Sequence, residues 1–438
     1  MTPPATGRSL RPLAGVLAAM AMSLTGTRVS AIALPWFVLV TTGSAAMTGL
    51  VAFCEMAPYV LVKLLAGPLV DHLGPRRVSW VADVVSAAGA GAVALLHALD
   101  LLAFPALLGL VALIGAARGP GDLAKEIMVP EAAERGRIPL ERAAALSGVT
   151  ERLAATLGPA MGGALVALAG PLVGLALSGA CFALGSVVIV WALPRTQARY
   201  AGAPIPAPVL EAGGYWRRFA EGVAFLRAEP MLLALTLMVA VTNLLDAAFA
   251  QVLVPVWARE SGHGPAVIGL NSAAMGLAAV GGSLVAAAVA HRMRRRAVFF
   301  VAFLVAGPPR FLVLAMDAPV WVMLVVFAVS GLGCGLINPI LGAILFERVP
   351  RRLLGRVNAL GDSLAWAGIP LGGLMAGAAV AAAGLSPVLV ACGAAYFLTI
   401  GLTGLRREWR QMDQPRGVGS PSAPASAESI GTKSSRSP

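Results

Sequence analysis

The chain has 438 residues, of which 58% are hydrophobic, 50 are glycine and only 12% are charged. Soluble domains carry roughly twice that charged share, so soluble multidomain, disordered, collagen-like and disulfide-stapled secreted architectures are all excluded. The balance of 33 basic to 21 acidic residues, a net charge of +12, suggests nucleic acid only until the charges are placed along the chain.

A bilayer core of about 30 Å takes about 20 apolar residues in a helix. Twelve such windows follow in chain order: Leu13 to Val40, Ala45 to Val70, Val78 to Leu99, Leu101 to Pro120, Ala144 to Ala169, Pro171 to Trp191, Met231 to Val256, Ala266 to Ala290, Ala297 to Met316, Val320 to Phe346, Val357 to Ala383 and Pro387 to Leu405. The fourth ends where Arg118, Asp122, Lys125 and Glu126 crowd together. Between the sixth and seventh windows, Pro204, Pro206, Pro208, Gly213 and Gly214 break any span, and Trp216 to Arg227 reads as a short basic amphipathic helix lying on the membrane face. The stretch 411–438 is Ser/Pro-rich and is expected to be disordered.

The connections sort the basic residues. Those on the side of the two chain ends hold 27 of the 33, the other side holds only Arg259, and Arg28, Lys63, Arg118, Arg152 and Arg310 lie inside spans. Under the positive-inside rule both termini are cytoplasmic, in a multi-pass protein of the cytoplasmic membrane. The basic excess is thus a topology signal, and no nucleic-acid partner is expected. The first window is too long for a cleavable signal peptide and serves as its own insertion signal.

Residues 141–170 align with residues 355–384 without a gap, and twelve of the thirty positions match, among them Gly158/Gly372, Gly163/Gly377 and Gly170/Gly384. These stretches cover the fifth and eleventh spans, the same place in each group of six. The predicted fold class is therefore an all-α membrane protein of twelve transmembrane helices in two pseudo-symmetric six-helix halves. Residues 1–194 form the N-terminal half, 195–230 the linker, 231–410 the C-terminal half and 411–438 the tail.

Two local patterns stand out. Between spans two and three runs Gly67-Pro-Leu-Val-Asp71-His72-Leu-Gly74-Pro-Arg76-Arg77, whose glycines permit a tight turn. There Asp71 can face the N-terminus of span eleven, an end that favours an anion. In span five, Gly158-Pro159-Ala-Met-Gly162-Gly163 combines small residues for close helix approach with a proline that bends the helix. Both resemble signatures of the major facilitator superfamily, the first its GxxxDxxGxRR loop and the second the GPxxGG core of its antiporter motif. Over roughly residues 10 to 408 the chain is most similar to the twelve-helix branch of drug and macrolide exporters. The resemblance implies alternating access, a cytoplasmic gate at Gly67, Asp71, Gly74, Arg76 and Arg77, and export rather than uptake. It departs from the pattern at Ala154, where the antiporter motif has a further glycine, and at His72, where the family usually has a basic residue.

An ionisable group at mid-bilayer costs about 2.5 to 3.5 kcal/mol on insertion scales, so each should face protein or water. Glu55 and Asp246 fall near the middle of spans two and seven. Burial disfavours the charged form of a carboxylate, which makes these two the expected proton or cation acceptors, with Arg28 the natural partner of one of them. The family fold lines its cavity with spans one, four, seven and ten, which implies that Arg28, Arg118, Asp246, Asn243 and Asn338 face it. Glu151 and Arg152 are neighbours pointing about 100° apart, one towards the cavity and the other towards Arg118 or a backbone carbonyl. Asp83 and Asp362 read as charges near cytoplasmic helix ends, and Lys63 and Arg310 as snorkelling side chains. Trp36, Phe37, Tyr59, Met238, Phe249, Trp257, Met275 and Phe346 are candidates for a repacking drug surface.

No Walker A pattern occurs. The four cysteines have no paired spacing and the four histidines make no metal motif. No cofactor, metal or enzymatic activity is expected. The expected function is proton-coupled efflux of small amphipathic molecules by a monomer whose partners are its substrate, protons and the lipid bilayer. A dedicated exporter of one metabolite or siderophore, an uptake permease, and a non-transporting receptor or scaffold are the alternatives.

Overall fold

In a hydrocarbon solvent every backbone polar group must be satisfied within its own segment, which leaves a chain this apolar little choice but helices. The computed structural model describes residues 10–193, 215–289, 294–350, 353–406 and 409, and contains twelve helices long and apolar enough to cross a membrane. The first six spans are single helices: α1 (Arg11–Thr42), α2 (Ala45–Leu73), α3 (Pro75–Ala98), α4 (Phe104–Gly136), α5 (Leu140–Ala169) and α6 (Pro171–Ala192). After the linker helix α7 (Tyr215–Ala228), span seven is composite. It joins α8 (Pro230–Ala248), a π-helical turn (Phe249–Leu253) and α9 (Val254–Glu260). Span eight is α10 (Pro265–Val289), and span nine breaks at Gly307 into α11 (Arg295–Ala306) and α12 (Pro308–Ala315). Span ten is α13 (Val320–Arg348), span eleven is α14 (Leu354–Ala367) followed by α15 (Ile369–Ala383), and span twelve is α16 (Leu385–Gly404). The first and last spans open and close on one face, called here the basic face.

The internal repeat has a backbone counterpart. Gly170 (φ 85°, ψ 164°) is the single residue between α5 and α6, and its repeat mate Gly384 (φ 81°, ψ 169°) is the single residue between α15 and α16. A side chain is strained at that positive φ, so glycine at both corners follows from the geometry. At the start of α2, Ser44 accepts a hydrogen bond from the Met47 amide, an ordinary N-cap.

The C-terminal half packs one large apolar cluster that includes Met231, Leu253, Phe299, Phe311 and Leu389, and the linker helix contributes Leu226 to it. The N-terminal half has two principal clusters. One holds Leu13, Met20, Met128 and Ile189, the other Phe37, Val51, Val111 and Val166. Along α1 Ser23 lies between these two clusters, and on α2 Glu55 stands one turn beyond Val51; both are buried polar side chains.

Span four departs from expectation. The apolar window ends at Pro120, but the helix runs on to Gly136. Lys125, expected in a cytoplasmic connection, is 2% exposed and bonds Asp83 on α3 at 2.7 Å and Ser23 on α1 at 3.1 Å. Asp83, read from the sequence as a charge near a cytoplasmic helix end, is correspondingly buried at 3% exposure. An ion pair cancels the charge that ended the window, so the helix can stay inside.

Candidate functional site

The two halves meet through glycines near the face opposite the basic one. On α5, a Cβ at Gly163 would stand 2.8 Å from the Gly269 Cα and from the Pro265 carbonyl oxygen of α10. On α15, a Cβ at Gly377 would stand 3.1 Å from the Gly49 Cα of α2. Gly163 and Gly377 are repeat mates, so one small-residue contact is used twice, once on each side of the pseudo-symmetry axis. The remaining glycines of the span-five pattern serve the N-terminal half itself. A Cβ at Gly158 would meet the Arg28 Cβ at 2.6 Å, and one at Gly162 the Val29 Cα at 3.0 Å, both on α1.

Towards the basic face the principal contact between halves is aromatic. Tyr59 on α2 stacks on Trp366 of α14, with centroids 6.4 Å apart and planes at 19°. Asp71 is exposed and makes no ion pair or hydrogen bond among the described residues, and the side chains at the start of span eleven that it is expected to face, 351–352 and 354–356, lie outside them. Arg76 instead donates to the Val190 carbonyl near the end of α6 at 2.8 Å. Arg77 is exposed, while Gly67 and Gly74 have open space where a Cβ would stand.

At mid-span of α2 lies a pair of buried charges. Arg118 on α4 donates to Glu55 at 2.7 Å, with 8% and 11% of the two side chains exposed. Below it, Tyr59 donates to Asp122 at 3.3 Å, and Lys63 bonds Glu126 at 3.3 Å. Residues 55, 59 and 63 are spaced i, i+4, i+8, and so are 118, 122 and 126. The three contacts are therefore rungs of one ladder, each about 6 Å below the last. The helices can approach this closely because Gly115 lies against the Glu55 carbonyl and Gly119 against the backbone of Tyr59 and Lys63. The Arg118 guanidinium also lies 5.2 Å from the Tyr59 ring centre.

The second acid is held differently. Asp246 on α8 accepts from Arg310 on α12, and 40% of the Asp246 side chain is exposed against 6% of Arg310. Arg310 is boxed by the rings of Phe249, Phe311 and Tyr396, at 4.9, 5.4 and 5.7 Å. The expectation that Arg310 snorkels is therefore wrong, because the break at Gly307 turns α12 so that its arginine enters the C-terminal core. The expectation that Arg28 partners one of the acids fails as well, since both carboxylates are taken by other arginines. Arg28 is half-buried, its Nε atom is without a hydrogen-bond partner, and the charges acting on it are Arg118, Glu151 and Asp122.

Of the other candidates, Asn243 stands one turn before Asp246 and donates to the Ala365 carbonyl of α14 at 3.0 Å. Asn338, Glu151 and Arg152 are exposed. Trp36 packs against apolar clusters of both halves. Met238, Phe37, Phe249 and Trp257 are each no more than 4% exposed and belong to the cores, not to a cavity lining. The sequence reading missed the ladder, although the matching i, i+4, i+8 spacing on two adjacent spans was a signal that could have revealed it.

Two pseudo-symmetric sets of membrane-crossing helices, joined by glycine contacts near one face and holding paired charges at mid-span, define a membrane carrier. The chain belongs to the transmembrane secretion effector family of the major facilitator superfamily, whose family model matches residues 12–433. It is 33% identical over 397 residues to the multidrug efflux pump Tap of Mycobacterium tuberculosis, covering 89% of this chain and 91% of that protein. It is 31% identical over 384 residues to the Tap pump of Mycolicibacterium fortuitum, covering 87% and 92%. A crystal structure of the nucleoside transporter NupG superposes with a TM-score of 0.70 over 91% of this chain and all of that one. At 14% identity that likeness is one of fold.

Proposed function

We propose that this protein exports small amphipathic molecules in exchange for protons, with the basic face in the cytoplasm of a bacterial cell. Export is supported by the relatives named as multidrug efflux pumps, and the orientation by the basic residues gathered on one side. The glycine contacts join the halves near the opposite face, as an inward-facing state requires.

The coupling rests on the Glu55 and Arg118 pair. A buried carboxylate paired with a guanidinium gives up its charge only if the guanidinium finds another counter-ion, because an uncompensated buried charge costs about 3 to 5 kcal/mol. Asp122 stands one turn from Arg118 on the same helix, an i, i+4 spacing at which the two can pair. Proton binding to Glu55 therefore releases Arg118 to Asp122 and loosens the Tyr59 bond to Asp122. That change reaches the aromatic contact between the halves one rung below. Asp246, with its more exposed edge, is the carboxylate that faces a cationic substrate. Proton and substrate then compete through the two conformations, as linkage requires.

The test is flux of a lipophilic amine in proteoliposomes under an imposed pH gradient. Glu55→Gln should abolish gradient-driven flux while retaining downhill exchange, and Asp246→Asn should lose cation flux in both modes. Unchanged pH-dependent efflux in both variants would refute the assignment.

A further inference from the structure

At the bottom of the ladder a protein cation occupies a place suited to a substrate cation. The Lys63 ammonium lies 5.2 Å from the Trp366 ring centre and 5.9 Å from that of Tyr59. Both are within the roughly 6 Å at which ring faces attract a cation. The two rings belong to opposite halves of the molecule and are stacked. Glu126 closes the site at 3.3 Å from the ammonium, and Asp362, one turn before Trp366 on α14, interacts with the same charge. The place is accessible: Asp362 is exposed, Trp366 is 38% exposed, and 57% of the Glu126 side chain is open against 23% for Lys63. It lies ten residues, about 15 Å along the helix, from the basic-face end of α2.

We propose that Lys63 is a resident counter-cation of a substrate-binding vestibule built by Tyr59, Trp366, Glu126 and Asp362, and that a ring-bearing organic cation binds there by displacing it. A flexible lysine suits this role, since its compact ammonium sits on a four-carbon stem that can swing aside. The wall it vacates offers two aromatic faces and two carboxylates. A protonated amine or quaternary nitrogen on an apolar body matches those groups, whereas a neutral body of the same size gains only the rings. Because one ring comes from each half, the occupied vestibule also reports to both halves that substrate is present.

This inference rests on the export reading above but is tested without a gradient. Ethidium is the cationic probe and Nile red the neutral one, with binding to the full-length chain in detergent followed by fluorescence anisotropy. Removing the competing charge with Lys63→Met, or with the polar Lys63→Gln, should tighten ethidium binding by about threefold to thirtyfold. Nile red binding should stay within about twofold, and Lys63→Arg, which keeps the competing charge and stacks on the rings at least as well, should give no gain in ethidium binding. Adding Trp366→Ala to Lys63→Met should remove the gain. Variants are compared only where size-exclusion profiles match the wild type, and the two neutral replacements guard against one failing to fold. The proposal is overturned if both neutral replacements leave ethidium binding unchanged or weaken it, if Nile red gains equally, or if the gain survives loss of Trp366. Failure of the export reading would appear elsewhere, as absent gradient-driven flux in proteoliposomes with ethidium binding intact.

Discussion

Gly163→Ala should change which conformation the protein occupies more than it changes how well the protein folds. The added Cβ would stand 2.8 Å from the Gly269 Cα and the Pro265 oxygen and 2.9 Å from the Gly269 nitrogen, all backbone atoms that no rotamer change can move. Overpacking of this kind costs about 1 to 3 kcal/mol. The clash crosses between halves, so it is present only while α5 and α10 touch and is relieved when the opposite face opens. The ratio of inward-facing to outward-facing molecules should therefore fall by about 5- to 150-fold. Gly377→Ala, whose Cβ would stand 2.5 Å from the Ala45 oxygen, should act in the same direction, and the two should be roughly additive because they sit on separate crossings. Gly162→Ala is the control. Its Cβ meets the Val29 Cα at 3.0 Å within one half, so it should lower Tm and leave the ratio unchanged. Spin labels near the opposite-face ends of α5 and α10 would report the distance populations. Identical populations in wild type and Gly163→Ala, with the fold intact, would refute the crossing as a conformational contact.

Three further outcomes are expected. Glu55→Gln should cost at most about 3 to 5 kcal/mol of stability, reduced by as much as Arg118 gains in turning to Asp122, and Glu55→Gln with Arg118→Gln should recover much of the loss. Thermal unfolding in detergent checks this, and a double variant less stable than the single one would contradict the pairing. Lys125→Met should be destabilising on the same scale, because it strands Asp83, yet the surviving folded protein should keep the wild-type pH profile of transport. A shifted profile would move Asp83 and Lys125 into the coupling machinery. Arg310→Lys should weaken the C-terminal half despite keeping the charge, since an ammonium cannot lie flat among the Phe249, Phe311 and Tyr396 rings as a guanidinium does. Equal unfolding temperatures for the two proteins would show that the box contributes nothing.

The twelve spans were legible because each is a run of apolar residues long enough to cross a bilayer, and Glu55 and Asp246 were conspicuous as charges inside such runs. Their partners were not legible. Arg118 reaches Glu55 only because Gly115 and Gly119 draw α4 onto α2, and Arg310 reaches Asp246 only because span nine breaks at Gly307. Both facts concern which helices adjoin, and hydropathy along one chain carries no such information. Lys125 was misplaced for a related reason: a window that counts charges cannot see that Asp83, on the preceding span, cancels this one at 2.7 Å. The glycine repeat lay between these cases. The match of Gly163 with Gly377 was readable, but their role as paired contacts between halves needed the backbone of α2 and α10 beside them.

The position of those glycine crossings along the helices has a mechanical consequence. Gly163 is six residues from the end of α5 at one face and 23 from its start at the other, and Gly49 is four and 24 residues from the two ends of α2. At 1.5 Å per residue the arms are about 6 to 9 Å on one side and about 35 Å on the other. A tilt of about 15° about such a fulcrum moves the short ends by about 2 Å and the long ends by about 9 Å. The carrier thus trades a slight shift at one face for a wide aperture at the other. Backbone contact suffices to seal the short-arm side. At the end of the long arms a gap of that width can be bridged only by side chains with reach and charge, and this is the end of α2 that carries Asp71, followed across Gly74 by Arg76 and Arg77 in the first turn of α3.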